Sequence, residues 1–219
     1  MEKMEFWTIC SANGIVLDKK QMDQIERYAG ELIYWNSKVN MISRKDEENV
    51  MSYHILHSLS ILKYADIPHR SLCLDIGSGG GLPGIPVSIA RPDLRMLLID
   101  SIAKKVKMAE MFASHTGNKS LKAIRARAEE LHRDKEYGKR YDYIFSRSVA
   151  KVEKILEWSQ SVRKKDTVFI MLKGGDLSDE IHSAKERFKN LDVKEHLISL
   201  IGYDKFEKEE KKILICKFL

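Results

Sequence analysis

The sequence predicts an α/β protein with a doubly wound sheet of about seven strands, mostly parallel, with an antiparallel C-terminal strand. Residues 71–76 form a short apolar segment that runs into a glycine-dense loop, and an apolar helical segment follows at once. Apolar strand segments then alternate with helical segments, which is typical of parallel strands joined by right-handed crossovers. Residues 193–201 and 210–218 read as two strands with no helix between them, so at least the last one is expected to pair antiparallel.

Strands and helices alternate through the middle of the chain. The predicted strands are 71–76, 94–99, 121–125, 141–146 and 166–172, and the predicted helices are 85–91, 101–115, 127–133, 151–163 and 176–190. Because the carboxyl ends of parallel strands meet at one edge of a sheet, the residues that follow these strands are predicted to form the ligand site.

The first 65 residues are predicted to form an N-terminal helical extension, and residues 66–219 the sheet domain. Apolar residues recur at helical spacing over 18–38, where Asp18 is available as the N-cap. A second helix is predicted over 46–65, since acidic residues in its first turn suit the helix dipole. Its inward-facing residues are expected to be Val50, Ile55, Leu59 and Leu62.

The composition fits one globular domain with a modest extension. The chain has 219 residues, of which 43% are hydrophobic and 32% charged. Its N-terminus is charged and no apolar run approaches membrane-spanning length, so we expect a cytoplasmic protein without membrane contact. Cys10, Cys73 and Cys216 are far apart, which argues against structural zinc. The net charge of +6 is compatible with a polyanionic partner but does not require one.

The glycine loop predicts a site for a nucleotide-type cofactor. Gly79, Gly81 and Gly84 match the G-x-G-x-x-G pattern of dinucleotide sites. Dinucleotide sites hold a pyrophosphate with free amides at a helix start, whereas Pro83 and Pro86 remove two such donors. A ligand with a ribose and no phosphate, such as S-adenosylmethionine (AdoMet), therefore fits the loop better than NAD. A glycine-rich turn that binds nothing is the remaining alternative.

Acidic residues follow several of the predicted strands. Asp75 lies just before the glycine loop and fits a site for a cationic ligand. Asp100 ends the second strand and is placed to accept hydrogen bonds from the two ribose hydroxyls. Glu129 follows the third strand and could accept from the adenine amino group, or simply lie in an exposed first helical turn.

The ends of the fourth and fifth strands carry Arg147, suited to a carboxylate or an RNA phosphate, and Lys173, which could hold a phosphate or be a solvated turn lysine. Because strand-end position adds to residue type, a functional role is favoured for both. The loop 146–149 lacks the proline-rich motif that holds exocyclic amines for methylation. No cysteine is placed to attack a cytosine carbon. A ring nitrogen that needs no deprotonation, such as guanine N7, is the acceptor left by these exclusions, with catalysis mostly a matter of alignment.

His54 and His57 lie one helical turn apart, a spacing that can hold a metal. No third ligand is evident, so no metal site is predicted. We expect one of the two rings to pack in the interior and the other to meet solvent or RNA.

Several motifs resemble the bacterial 16S rRNA guanine-N7 methyltransferase family, RsmG, also called GidB. In chain order they are Trp35-Asn36, Asn40-Met41-Ile42-Ser43, His54-Ile55-Leu56, Ser58-Leu59, Leu82-Pro83-Gly84-Ile85-Pro86, Leu98-Ile99-Asp100-Ser101 with Lys104-Lys105, Arg127-Ala128-Glu129, Ser146-Arg147 and Leu172-Lys173-Gly174. The resemblance implies an AdoMet-dependent methyltransferase (Rossmann-like) sheet and methylation of one guanosine in the decoding-region loop of 16S rRNA. The implied partner is 16S rRNA or the small ribosomal subunit, and we expect a monomer without a stable protein partner.

The resemblance also implies roles for individual residues. The residues implied to bind AdoMet are Gly77, Leu82, Asp100, Ala128, Glu129 and Arg147; the loop sequence itself adds Asp75 and Gly79. Arg127 and Lys173, together with Arg147, are candidates for substrate contact or active-site positioning. The family usually has aspartate where this chain has His57, and a protonated histidine there could touch a phosphate.

Basic residues could form a rim for RNA around the methyl-transfer pocket. The candidates are Arg44, Lys45, His69, Arg70, Arg91, Arg127, Arg140, Arg147 and Lys173. A small-molecule methyltransferase, a dinucleotide-dependent oxidoreductase and an AdoMet-binding regulator without turnover remain as alternatives.

Overall fold

The computed structural model describes residues 1–219 and is organised around one seven-stranded sheet. The strands are β1 (Leu72–Ile76), β2 (Arg95–Asp100), β3 (Leu121–Arg125), β4 (Tyr141–Arg147), β5 (Arg163–Gly174), β6 (Leu191–Leu197) and β7 (Lys211–Phe218). They lie in the order β3-β2-β1-β4-β5-β7-β6, and β7 alone runs opposite to the other six strands. The predicted mostly parallel sheet with an antiparallel C-terminal strand is therefore confirmed.

Nine α-helices flank the sheet or precede it. They are α1 (Lys3–Ala12), α2 (Lys19–Asn36), α3 (His57–Leu59), α4 (Ile61–Tyr64), α5 (Gly84–Ala90), α6 (Ala103–His115), α7 (Val152–Trp158), α8 (Ser178–Arg187) and α9 (Lys205–Lys208). The N-cap prediction for α2 is confirmed, since the Asp18 carboxylate accepts from the Gln21 amide at 2.7 Å. Helix α1 and the single turn α9 were not predicted. No helix combines the length and the apolar composition needed to cross a membrane.

The continuous helix predicted over 46–65 is wrong. Residues Arg44–Asn49 form a 3₁₀ helix and Val50–Leu56 a π-helix, before the short helices α3 and α4. The Ser58 hydroxyl donates to the His54 carbonyl at 2.6 Å, and most side chains from position 52 to 61 are buried on whichever side they project. Positions 52–61 are therefore largely buried on all sides and do not present a single apolar face, and the helix type changes along the segment from 3₁₀ to π to α.

Alternate residues of the central strands face two different cores. Leu74 and Ile99 pack with α7 and α8, whereas Cys73 and Leu98 pack with α1, α2, α5 and α6. The N-terminal helices thus share a core with the sheet. Gln21 of α2 strengthens this contact, because its side-chain amide donates to the last two carbonyls of α5 at 2.8 and 3.1 Å. The division at residue 65 stays a prediction.

Candidate active site at the carboxyl edge of the sheet

The glycine loop between β1 and α5 follows a path that requires glycine. Gly77, Gly79 and Gly81 have φ values of +68°, +57° and +102°, in the region that L side chains avoid. A Cβ at Gly77 would lie 2.6 Å from Cγ2 of Val149, in the loop after β4. The absence of a side chain at Gly77 therefore leaves room for Val149 to pack against the glycine loop.

Carboxylates already bond the loop amides that a pyrophosphate would need. The Gly84 amide, at the start of α5, donates to Asp75 Oδ2 at 2.8 Å. The Gly79 amide donates to Asp100 Oδ2 at 3.0 Å. Because acceptors occupy these donors and Pro83 has no N–H, the loop disfavours a phosphate. The geometry supports the predicted preference for a ligand without phosphate.

A cavity of about 360 Å³ opens beside this loop at the carboxyl ends of β1, β2 and β3. Five of the predicted site residues line it: Gly77, Asp100, Arg127, Ala128 and Glu129. The other predicted residues lie outside its lining: Asp75, Gly79, Leu82, Arg147 and Lys173. The structure therefore brings together the residues that follow β1, β2 and β3 with Ser148 and Val149 of the loop after β4, and it places Arg147 and Lys173 outside the lining.

Sequence reasoning missed several apolar residues of the cavity. Ile102 is 49% exposed although apolar, and Trp158 reaches the cavity from the end of α7. The Ile102 amide donates to Asp100 Oδ1 at 2.9 Å, so the carboxylate that faces the cavity also fixes this neighbour. An isoleucine directly after an Asp-Ser pair at a strand end was a usable signal for Ile102. Trp158 comes from a distant element and carried none.

Asp100, Glu129 and Arg127 supply the polar groups of the cavity. Each Asp100 oxygen accepts one amide bond and retains a lone pair for a hydroxyl donor. The Glu129 side chain is 43% exposed, in the first turn of the 3₁₀ helix Ala128–Arg133, and lies 3.8 Å from the guanidinium of Arg127. Both sequence interpretations of Glu129, adenine contact and exposed helical turn, are compatible with this position.

Asp75 is a buried carboxyl group with an incomplete set of partners. Its Oδ2 accepts from Gly84, whereas its Oδ1 is buried without any hydrogen-bond partner. Burial raises the pKa of Asp75 from 3.8 to about 8, against the opposing influence of the Arg147 charge. A buried acceptor without a partner is costly unless a ligand satisfies it. This is the environment expected next to a cationic ligand.

Arg147 ends β4 but points towards the N-terminal helices. Its Nη1 donates to Nδ1 of His54 in the π-helix at 2.7 Å. Burial lowers the pKa of the guanidinium, while Tyr28 and Asp75 act in the opposite direction. The side chain therefore lies behind the glycine loop, on the core side that faces α2.

Lys173 is held in an ion pair at the end of β5. Its ammonium donates to the Ala150 carbonyl at 2.6 Å and to the carboxylate of Glu180 in α8, and these two side chains are only 11% and 15% exposed. The alternative of a solvated turn lysine is therefore wrong. The contact with Ala150 fastens the loop whose Val149 borders the cavity.

The expectations for the two histidines need correction. His57 is buried against the ring of Phe206, with centroids 5.2 Å apart, and burial holds its pKa well below 6.5. A neutral, enclosed ring cannot touch a phosphate. His54 is buried as well, so the prediction that one histidine meets solvent or RNA is wrong. No group of three or more metal-ligating side chains is placed to hold an ion.

The predicted basic rim is divided between two ends of the sheet. His69, Arg70, Arg91 and Arg140 precede the amino ends of β1, β2 and β4, and the first and third of these contact Asp93. Because β1, β2 and β4 are parallel, their amino ends lie at one edge of the sheet and their carboxyl ends at the other. These four residues are therefore at the edge opposite the cavity. Of the remaining candidates, Arg147 and Lys173 are largely buried, and Arg44, Lys45 and Arg127 stay exposed.

The residues of this edge fit AdoMet. Gly77 lines the cavity at a left-handed φ that leaves room for Val149, Asp100 offers free lone pairs, and one oxygen of the buried Asp75 carboxyl lacks a partner. The fold and this site define an AdoMet-dependent methyltransferase. Among solved structures, the chain is similar to a mutant of MtNAS in complex with S-adenosylmethionine, with a TM-score of 0.59 and 13% identity over 91% of this chain and 72% of that chain.

The chain belongs to the GidB family, rRNA small subunit methyltransferase G, whose model matches residues 21–207. It is 39% identical over 176 residues to ribosomal RNA small subunit methyltransferase G of Chlorobaculum tepidum, covering 80% of this chain and 79% of the relative. It is also 34% identical over 210 residues to the protein of the same name from Pelodictyon phaeoclathratiforme, and the match covers 94% of this chain and 90% of the relative.

Proposed function

We propose that this protein transfers the methyl group of AdoMet to N7 of one guanosine in the decoding-region loop of 16S rRNA. The family description and the names of the relatives support small-subunit rRNA as the substrate. The observation that carries the proposal is the cavity at the carboxyl edge of the sheet, which joins the glycine loop to Asp100 and opens beside the exposed Arg127.

The cofactor is held by residues from three strand ends. Gly77, Asp100, Ala128 and Glu129 line the cavity and would contact the adenosine moiety. Gly79 and Leu82 shape the loop, and the Gly79 amide connects it to the Asp100 carboxylate. Asp75 lies behind the loop and favours a positive charge in front of it. When bound, AdoMet supplies an electrophilic methyl group on a sulfonium centre.

The transfer needs alignment rather than acid–base chemistry. Guanine N7 carries an in-plane lone pair and no proton, so no general base is assigned. A covalent enzyme intermediate through cysteine is disfavoured, because burial raises the pKa of Cys10 and Cys216 to about 12 and that of Cys73 as well.

Three basic residues take different roles in this proposal. Arg127 is 64% exposed beside the cavity and is suited to an RNA phosphate. Arg147 lies outside the cavity lining, and its Nε and Nη2 have no hydrogen bond inside the chain, which supports a contact with substrate or cofactor behind the glycine loop. Lys173 acts through the loop after β4, because its ammonium is already bonded to Ala150 and Glu180.

The test uses methyl-labelled AdoMet with 16S rRNA and small subunits from cells that lack the modification. Label at N7 of a single guanosine, located by chemical cleavage and mass spectrometry, is the expected result. Label at another atom would replace the proposed acceptor within the same enzyme class. An absence of label on both naked RNA and intact subunits, with AdoMet binding retained, would overturn the rRNA assignment.

A further inference from the structure

The contact between Arg147 and His54 fixes the tautomer of the histidine. A guanidinium has only donors, so His54 Nδ1 must accept from Arg147 Nη1 across their 2.7 Å separation. Burial and the Arg147 charge lower the pKa of His54 to about 3, so the ring is neutral and carries its single proton on Nε2. The imidazole is therefore a fixed acceptor on one side and a fixed donor on the other.

Asp46 faces the donor side of this ring. Its Oδ2 lies 3.5 Å from His54 Nε2, and this buried nitrogen has no hydrogen-bond partner, so the Asp46 carboxylate is the acceptor placed to approach it. The Asp46 side chain is 30% exposed, within the 3₁₀ helix Arg44–Asn49. The three side chains thus form a line that runs from the protein surface to the end of β4.

Asn36 attaches the outer end of this line to α2. Its Oδ1 accepts from the amides of Met41 and Ile42 at 2.8 and 2.9 Å, and its Nδ2 donates to Glu47 Oε1 at 2.7 Å. Asn36 is buried, so the segment that presents Asp46 is anchored in the core. The carboxylate is therefore held by structure rather than by a freely moving surface loop.

We propose that Asp46 and His54 are positioning residues that orient the Arg147 guanidinium for methyl transfer. Nη1 is the one guanidinium nitrogen with a hydrogen bond inside the chain, so Nε and Nη2 remain free to donate to substrate or cofactor. His54 supports this arrangement as a neutral acceptor, which leaves the positive charge of Arg147 intact. The inference rests on the proposed function of Arg147, because orientation matters only where its free donors bind.

Two substitutions of His54 separate the two halves of the arrangement. His54→Asn keeps a carbonyl oxygen near the Nδ1 position and so keeps the acceptor for Arg147, but it cannot reach Asp46. His54→Gln places an amide N–H near the Nε2 position and keeps the contact to Asp46, but it loses the acceptor for Arg147. Both substitutions remove the same buried imidazole, so the loss of the ring itself is common to the two variants. His57→Asn is the matched control, because it also removes a buried histidine but not one bonded to Arg147.

We expect His54→Gln to lower kcat by on the order of 10- to 100-fold, the effect of losing a hydrogen bond to a charged group. We expect His54→Asn and Asp46→Asn to lower it less, and His57→Asn to leave it within a few-fold of the wild type. Equal losses of kcat in His54→Gln and His54→Asn, scaling with lost thermal stability, would reduce His54 to a packing role. An unchanged kcat in His54→Gln would overturn the proposal outright.

A spectroscopic measurement separates this proposal from the proposed function. In protein labelled with ¹⁵N-histidine, His54 should show a protonated Nε2 and an unprotonated Nδ1, and Arg147→Gln should raise its pKa towards the ordinary 6.5. A proton on Nδ1 in the wild type would overturn the inference whether or not rRNA is methylated. If the spectrum is as expected but rRNA is not methylated, the proposed rRNA substrate is wrong, whereas the proposed orientation of Arg147 by His54 still holds.

Discussion

At the scale of single residues, Asp75 shows how a binding site can oppose the stability of the folded protein. Its carboxyl group is fully buried, with one oxygen bonded to the Gly84 amide and the other without a partner. Burial raises its pKa to about 8, whereas the same group titrates near 3.8 when solvated. The charged form is therefore unfavourable despite the Arg147 charge, and a further cation nearby would favour it.

The first prediction concerns Asp75→Asn. Between about pH 4 and pH 8 the folded protein holds a proton on Asp75 that the unfolded chain has released, so the contribution of this group to stability falls as pH rises through that window. The amide substitution removes this cost, so the variant should gain stability over the wild type as pH rises from 5 to 8.5. Its affinity for AdoMet should fall. Denaturant unfolding at both pH values and calorimetry with AdoMet check the two effects; a variant less stable than wild type at pH 8.5 would contradict the argument.

The second prediction concerns Gly77→Ala. The φ of +68° costs an alanine about 1–2 kcal/mol, and the approach of Val149 to 2.6 Å adds a further cost of similar size. Gly117→Ala is the matched control, because Gly117 has φ +70° and nothing within 4 Å of its Cβ position. Gly77→Ala should lose more stability and bind AdoMet more weakly than the control. Adding Val149→Ala should recover part of the stability, and equal losses in both glycine variants would contradict the proposed clash.

At the scale of elements, α2 supports the glycine loop from the core side. The Tyr28 hydroxyl donates to the Gly80 carbonyl at 3.1 Å, and a Cβ at Gly80 would lie 2.8 Å from Leu32. The hydroxyl is buried, so burial raises the pKa of Tyr28 and keeps it a donor. The N-terminal helices thus support the glycine loop although none of their residues lines the cavity.

The third prediction follows from this support. Tyr28→Phe leaves the Gly80 carbonyl without its donor, so we expect about 1 kcal/mol of lost stability and a several-fold weaker affinity for AdoMet. Tyr143→Phe is the control, since its hydroxyl donates to the Asp66 carbonyl at the opposite edge of the sheet. That variant should keep the wild-type affinity. Equal affinities in both variants, measured by calorimetry, would show that the loop does not depend on α2.

The fourth prediction concerns the pair of Lys173 and Glu180, which joins β5, α8 and the loop after β4. Glu180→Gln leaves a largely buried ammonium without its counter-charge, and removing one partner of such a pair costs on the order of 3 kcal/mol. Adding Lys173→Met should restore much of this stability but little of the rRNA methylation, because methionine cannot donate to the Ala150 carbonyl and so leaves the loop after β4 unfastened. A double variant that regains both stability and full rRNA methylation would show that the loop does not depend on the Lys173 ammonium.

At the scale of the whole molecule, the net charge of +6 is distributed over both ends of the sheet. Arg140 and Arg70 lie at the amino ends of the strands, whereas Arg127, Arg44 and Lys45 belong to segments beside the carboxyl edge or the N-terminal helices. Only charges near the cavity can bind the phosphates that flank a nucleotide placed there. The total charge alone therefore says little about where RNA binds.

The fifth prediction compares two arginines with the same charge. Each phosphate contact contributes about 0.7–0.9 to the slope of log affinity against log salt concentration. Arg127→Ala should weaken binding of the 16S rRNA loop and reduce that slope by about one contact, whereas Arg140→Ala should change neither. Filter binding across a salt series measures both values. A larger effect of Arg140→Ala would place the RNA on the opposite edge of the sheet.

Local patterns along the chain were sufficient for the sheet, its antiparallel last strand, the N-cap of α2 and the core of the site. Strand periodicity, glycine at left-handed positions and a carboxylate after a strand each depend on near neighbours in sequence, so Gly77, Asp100 and Glu129 could be placed in advance. Strand-end position also placed Arg127 and Ala128, and the resemblance to a known family supplied the roles expected of them.

Packing between distant segments decided the rest. The π-helix, the neutral His54 and His57, and the enclosure of Lys173 by Glu180 all depend on partners far away in the sequence. A side chain's charge and availability follow from its burial and its hydrogen-bond partners, and both appear only when the chain is folded. For the same reason, residue type and strand-end position indicated that Arg147 and Lys173 matter, but only the tertiary contacts distinguish an arginine with free donors from a lysine already paired.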